Sequence, residues 1–126
     1  MEITQNGNLG ADAVRRTAST PEGERYAINF RVFVENRVPD GSGGYKDQGG
    51  FWLGCTRWTR NPDFADRLTA LLRKGQPVIV IGSLRQDAWK DEGQNEQRGM
   101  AMNVSHVALD TIAVKDVTFL KEKTDE

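Results

Sequence analysis

Phe51-Trp52-Leu53-Gly54-Cys55-Thr56-Arg57-Trp58 is the stretch on which the fold turns. An extended strand sends successive side chains to opposite faces. Trp52, Gly54, Thr56 and Trp58 then share one face, and Phe51, Leu53, Cys55 and Arg57 the other. Leu53 and Cys55 suit a core. The opposite face carries two indoles with only small residues between them. Leaving an indole in water forgoes a large burial, so a pair on one sheet face suggests a flat partner such as a nucleobase. Cover by another part of the chain, or by a second subunit, explains the pair equally well.

The flanking segments supply the rest of a small β domain. In Arg25–Glu35, Tyr26, Ile28, Phe30, Val32 and Val34 form one continuous apolar row, which must be core. Ala27, Asn29, Arg31, Phe33 and Glu35 face the other way, so a cation and an aromatic ring share the outward side. Val38–Gly50 holds five glycines and reads as a loop joining two strands as an extended hairpin. After Trp58 come Asn61 as a cap, Pro62 at the first helical position and Asp63 in the first turn. Phe64, Leu68, Leu71 and Leu72 recur at helical spacing, Arg73 and Lys74 follow, and Gly75 stops the helix. Gln76–Arg85 is a strand with apolar residues on both faces, and Ile79 and Ile81 hint at a subunit interface; cover by the terminal segments is the other explanation. Gln86–Arg98 reads as a long polar hairpin carrying Trp89 and Lys90, with Gly99–Val107 as its return, Met102 and Val104 meeting different environments. Met1–Gly10 is a short edge strand at best, ending in a bend. Ala13–Arg16 is extended, Pro21-Glu22-Gly23 is a turn, and Ala108–Val117 alternates weakly.

Composition limits function. A chain of 126 residues, 37% hydrophobic and 28% charged, fits one globular domain. Net charge is -1, so any affinity for nucleic acid needs a local basic groove. No apolar run approaches a membrane span, and the first residues lack the features of a signal peptide. A single cysteine excludes an internal disulfide and points to a reducing compartment; with one histidine beside it, a Cys/His zinc site cannot be built. No nucleophile–base pair or phosphate-cradling loop is legible, so neither an enzyme nor a cofactor is expected.

Five strands, a helix between the third and fourth, and a long hairpin between the fourth and fifth outline a mostly-β OB-fold, a five-stranded partly open barrel. The domain is expected over residues 1–117, with a short polar tail over 118–126. Several blocks in order also resemble the bacterial single-stranded DNA-binding protein (SSB) family. They are Gly7-Asn8-Leu9-Gly10 with Val14-Arg15, Ile28-Asn29-Phe30-Arg31-Val32, Leu72-Arg73-Lys74-Gly75, Val80-Ile81-Gly82-Ser83-Leu84-Arg85, and Trp89 before Asp91-Glu92-Gly93-Gln94.

The resemblance implies sequence-independent binding of single-stranded DNA in replication, recombination or repair, by a cytoplasmic, nucleoid-associated homo-oligomer, a tetramer before a dimer. It matches Trp52, Trp58 and Trp89 to stacking positions, and Arg15, Arg73, Lys74 and Arg85 to basic positions along the DNA path. The residues themselves add Phe33 as a further platform and Arg31, Arg85 and Lys90 as phosphate partners. The tail is not an acidic tip, so recruitment of proteins through it is not expected, and the short form suggests service to a plasmid, phage or mobile element. The competing reading is a primosomal OB-fold adaptor whose barrel face docks another protein.

Overall fold

The computed structural model describes residues 2–35, 37–47 and 49–120, with all their side chains except those of Arg37, Val38, Asp47 and Trp89. Its strands are β1 (Glu2–Leu9), β2 (Val14–Thr20), β3 (Gly23–Val34), β4 (Arg37–Pro39), β5 (Tyr45–Asp47), β6 (Phe51–Thr59), β7 (Pro77–Lys90) and β8 (Glu96–Leu109). Helix α1 (Pro62–Leu71) separates β6 from β7, and a 3-10 turn over Thr111–Ala113 follows β8.

Six strands form the main sheet in the order β1-β7-β8-β6-β3-β2, one more than the sequence suggests, and β4 and β5 make a separate two-stranded ribbon out of the Gly-rich loop. The extra strand arises because the N-terminal segment is two strands rather than one short edge. β1 pairs antiparallel with β7 from Glu2↔Ser83 to Asn8↔Pro77, and its last residues also pair with β3 at Asn8↔Phe33 and Leu9↔Val32. The pairings β1–β7–β8–β6–β3 therefore return to β1. A Cβ on Gly7 would lie 2.4 Å from the Phe33 carbonyl oxygen, so this close approach needs glycine. Sequence periodicity missed β1 because its partners, not its own polar residues, make it a strand.

At Gly10 the chain bends, and β2 continues along the other side of β3, from Val14↔Asn29 to Thr20↔Gly23. The turn after α1 holds the bend. Leu9 N–H donates to the Gln76 carbonyl at 2.9 Å, Gly75 N–H to Leu9 at 2.7 Å, and Ala13 N–H to Leu72 at 3.0 Å. Asp12 adds a carboxylate that accepts the Lys74 backbone N–H at 2.8 Å and faces Arg73 at 3.4 Å. That backbone N–H is the main reason its carboxyl sits below the ordinary 3.8.

Inside lie Ile28, Phe30, Val32 and Val34 of β3, Leu53 and Cys55 of β6, Val78 and Val80 of β7, and Met102 and Val104 of β8. Met102 and Val104 thus share one environment, against the expectation of two. Truncating a fully buried side chain such as Leu53 to alanine costs about 2–5 kcal/mol. Ala65, Leu68 and Leu72 cover this core from α1 and the residue that ends it, with Phe64 packed beside them. Asn61 caps the helix as expected, its side chain accepting from the Asp63 and Phe64 N–H groups. Leu71, expected on the buried face, is 52% exposed, and the helix ends there, so Arg73 and Lys74 lie in the following turn. β7 and β8, each of 14 residues, form a long hairpin with a bulge between Ile81 and Gly82.

Candidate nucleic-acid interface

The outward face of β3 and β6 is set by their register. Opposed residues in a pair point to the same side, so Phe33↔Trp52, Arg31↔Gly54, Asn29↔Thr56 and Ala27↔Trp58 stand as successive rows on one surface. Trp52 is 48% and Trp58 36% exposed, so neither indole is sealed within the protomer. They stand six positions apart along the strand, about 20 Å at roughly 3.3–3.4 Å per residue.

Each indole has a local support. Trp52 meets the Phe33 ring edge-on, with centroids 5.0 Å apart at 63°, and the Arg31 guanidinium lies 5.0 Å from its ring. A Cβ on Gly10 would fall 2.3 Å from the Trp52 ring, so the bend that divides β1 from β2 also makes room for the indole. Phe33 is half-buried, and its ring lies against Gly50. It buttresses Trp52 more than it offers an open platform. Trp58 carries Arg25 over its ring at 4.3 Å. Such contacts contribute about 0.5–1 kcal/mol at exposed sites.

Rows continue across the parallel β6–β8 pair and onto β7. Arg31, Gly54, Ala101 and Arg85 form one row, and Asn29, Thr56, Asn103 and Ser83 the next. Thr56 Oγ1 donates to Asn29 Oδ1 at 2.8 Å, and Arg85 Nη1 donates to Asn103 Oδ1. A depression of about 390 Å³ runs over these rows toward β2, with Arg16, Arg31 and Arg85 around it. Asp12 and Asp87 also border it. Asp12 is answered by Arg73, and Asp87 accepts from Arg85 Nε at 3.1 Å. Arg16 and Arg31 make no ion pair among the described residues. Positive charge on this surface is therefore local and arginine-built. Beneath it, burial pushes the Cys55 thiol up to about 12, which keeps it protonated and unreactive.

Of the residues expected at the site, Trp52, Trp58, Phe33, Arg31 and Arg85 come together on this surface. Arg15 does not. It opposes Ile28, pointing to the core side of the sheet, where it pairs with Asp66 of α1 at 2.7 Å and lies over Tyr26 at 5.2 Å. Arg73 and Lys74 hold Asp12 from the turn after α1 and do not border the depression. Lys90 opposes Glu96 near the end of the hairpin, away from the indoles. The Trp89 backbone pairs with Gln97, and its side chain lies outside the described residues. Two cations escaped the sequence reading. Arg25 shares the parity of Arg31 and Phe33 and was legible from alternation; Arg16 needed the register Arg16↔Ala27.

A second outward face lies on β1, β7 and the end of β8. Ile79 opposes Asn6 and Ala108, while Ile81 opposes Thr4 and His106. Both isoleucines are half-buried, and these rows hold no carboxylate, lysine or arginine.

No helix among the described residues is long and apolar enough to cross a membrane, and none of their His, Cys, Asp and Glu side chains group as a metal site. Among curated proteins none matches the chain significantly. In three dimensions it is similar to the small single-stranded DNA-binding protein from Streptomyces coelicolor, with a TM-score of 0.71 at 20% identity, covering 89% of this chain and 95% of that one. It is also similar to a deletion mutant of the single-stranded DNA binding protein from Thermus aquaticus, with a TM-score of 0.60 at 20% identity. That match covers 86% of this chain and 49% of the Thermus chain, so the chain spans about half the length of that protein. The single-strand binding protein family model matches residues 2–110. The chain belongs to that family, and its mostly-β architecture with one helix is an OB-fold.

Proposed function

We propose that the protein binds single-stranded DNA without sequence preference, stacking bases on Trp52 and Trp58 and holding phosphates with Arg16, Arg25, Arg31 and Arg85. As a member of a family of binding proteins, it works by binding, not turnover. The observation that carries this reading is the pair of open indoles on one face, each beside its own arginine. Magnitudes favour exchange of partners. A stacked base contributes about 1–3 kcal/mol, more than the roughly 0.5–1 kcal/mol of a guanidinium on an exposed ring. A base arriving on the occupied ring face displaces the arginine, whose charge is then free for the adjoining phosphate. Stacking tolerates every base, and nothing on the surface reads a particular base edge.

Counting β1 and β2 as two halves of one bent strand reduces the six strands to the five of an OB barrel, with the domain over residues 1–117 and a polar tail over 118–126. Ile79 and Ile81 are the centre of a contact between copies, tetramer before dimer. Trp89 and Lys90 extend the DNA path along the hairpin. The two solved proteins similar in fold are both described as binding single-stranded DNA, which supports the binding itself; replication, recombination or repair is the setting in which such binding would serve. A cytoplasmic, nucleoid-associated place and service to a mobile element accord with that role. Titration with oligo-dT tests the proposal. Tryptophan emission should be quenched, with affinity falling as salt rises; unchanged emission at low salt would exclude it.

A further inference from the structure

Glycines in the barrel strands generally have a visible reason. A Cβ on Gly7 would lie 2.4 Å from a backbone oxygen, and one on Gly82 2.1 Å from another. Gly54 has none. A Cβ built there meets nothing within 4 Å, and its φ is not in the left-handed region. Glycine weakens a strand interior, since it loses the most backbone freedom and has no side chain to pack. Neither the fold nor the local backbone accounts for accepting that weakness in the middle of β6.

Its surroundings do. Gly54 sits in the row Arg31–Gly54–Ala101–Arg85, so a floor of two small residues has a guanidinium at each end. Asn103 flanks the floor, and its amide oxygen already accepts from Arg85, which leaves its N–H groups for a ligand. Trp52 rises two residues away on the same face. The open space above Gly54 belongs to the 390 Å³ depression, which Ala101, itself buried, also lines. A planar apolar face can rest there against the strand backbone, with negative charge at either end.

We infer that Gly54 and Ala101 form the floor of a seat for one nucleotide, distinct from the two indole platforms. Its base lies flat over Gly54, and its flanking phosphates reach Arg31 and Arg85. Gly54 is kept small to admit that base. The inference rests on the single-stranded DNA reading above and assigns it a third base position that uses no aromatic ring.

The experiment compares the full chain with Gly54→Ala and Gly54→Val, by oligo-dT titration and thermal melting. Valine suits a strand and meets no neighbour at its Cβ, so Gly54→Val should melt at or above the parent temperature. Its oligo-dT affinity should nonetheless fall about tenfold, roughly 1.4 kcal/mol, because the branched side chain takes the space of the seated base. Gly54→Ala should show a smaller loss with no drop in melting temperature. Stability and affinity moving in opposite directions is a result that a packing role would not produce. Affinity within about twofold of the parent for both variants overturns the seat. So does a loss that merely follows a lowered melting temperature in both. Failure of the parent itself to bind oligo-dT sinks the DNA reading along with it, so the two failures are distinguishable.

Discussion

The two outward faces of this sheet are built from the same pleat but with opposite chemistry. On β3 and β6 the exposed rows carry indoles, arginines and amides, and the larger groups are spaced by Gly54 and Ala27. On β1 and β7 the rows hold Thr4, Asn6, Ile79 and Ile81, none of them charged, with Glu2 opposite Ser83 in the row beyond. Rings and guanidinium groups left in water suit a polyanion with flat bases. Half-buried isoleucines among uncharged neighbours suit a second protein surface of the same kind. On the proposed reading, DNA on one face and a second copy on the other would not compete for residues.

The comparison breaks most readily at the indoles. Replacing Trp52 and Trp58 together by alanine should cost about 2–6 kcal/mol of oligo-dT affinity, thirtyfold or more, with no change in mass by light scattering. Equal loss of assembly would show that the faces are not independent. Next in size is the reverse experiment. Ile79→Asp with Ile81→Asp removes burial worth about 1.5–3 kcal/mol per side chain and places like charges across the contact. Mass should fall to that of a single chain, while affinity for a short oligo-dT stays within about threefold; an unchanged mass would place the assembly surface elsewhere.

Arg25→Ala with Arg31→Ala sharpens the first face. The slope of log affinity against log salt should fall by about 0.7 for each phosphate no longer neutralised, and an unchanged slope would leave these arginines as ring supports only. The smallest effect is expected from acid. Asp12, Asp40 and Asp91 are each held below the ordinary 3.8 chiefly by a backbone N–H, from Lys74, Ser42 and Asn95 respectively. Their folded values are lowered, so the stabilisation is present above the ordinary value and disappears as pH falls through the lowered ones. The melting temperature should decline a few degrees through that window, less so in Asp12→Asn, while it stays level from about pH 6 to 9. A parent and Asp12→Asn that decline in parallel would remove Asp12 as a contributor.

Much of the fold was readable residue by residue. The alternation of Tyr26, Ile28, Phe30, Val32 and Val34 turned Arg31 and Phe33 outward, and the Asn61-Pro62-Asp63 signal started α1 where it starts. Two placements needed more than a local pattern. Arg15 and Arg16 look alike in sequence, yet register with β3 sends Arg15 to Asp66 and Arg16 to the groove. Leu71 fits the apolar period of α1 but lies on its flank, about 100° around the axis from Leu72, outside the arc that Ala65, Leu68 and Leu72 turn to the core.

By itself, then, the sequence determined the faces of each strand and the start of the helix, because side-chain alternation and capping act within a few residues. Which faces adjoin was decided only in three dimensions. Bringing Arg31, Gly54, Ala101 and Arg85 into one row takes three strand registers. Registers depend on pairings across dozens of residues, which no local pattern encodes.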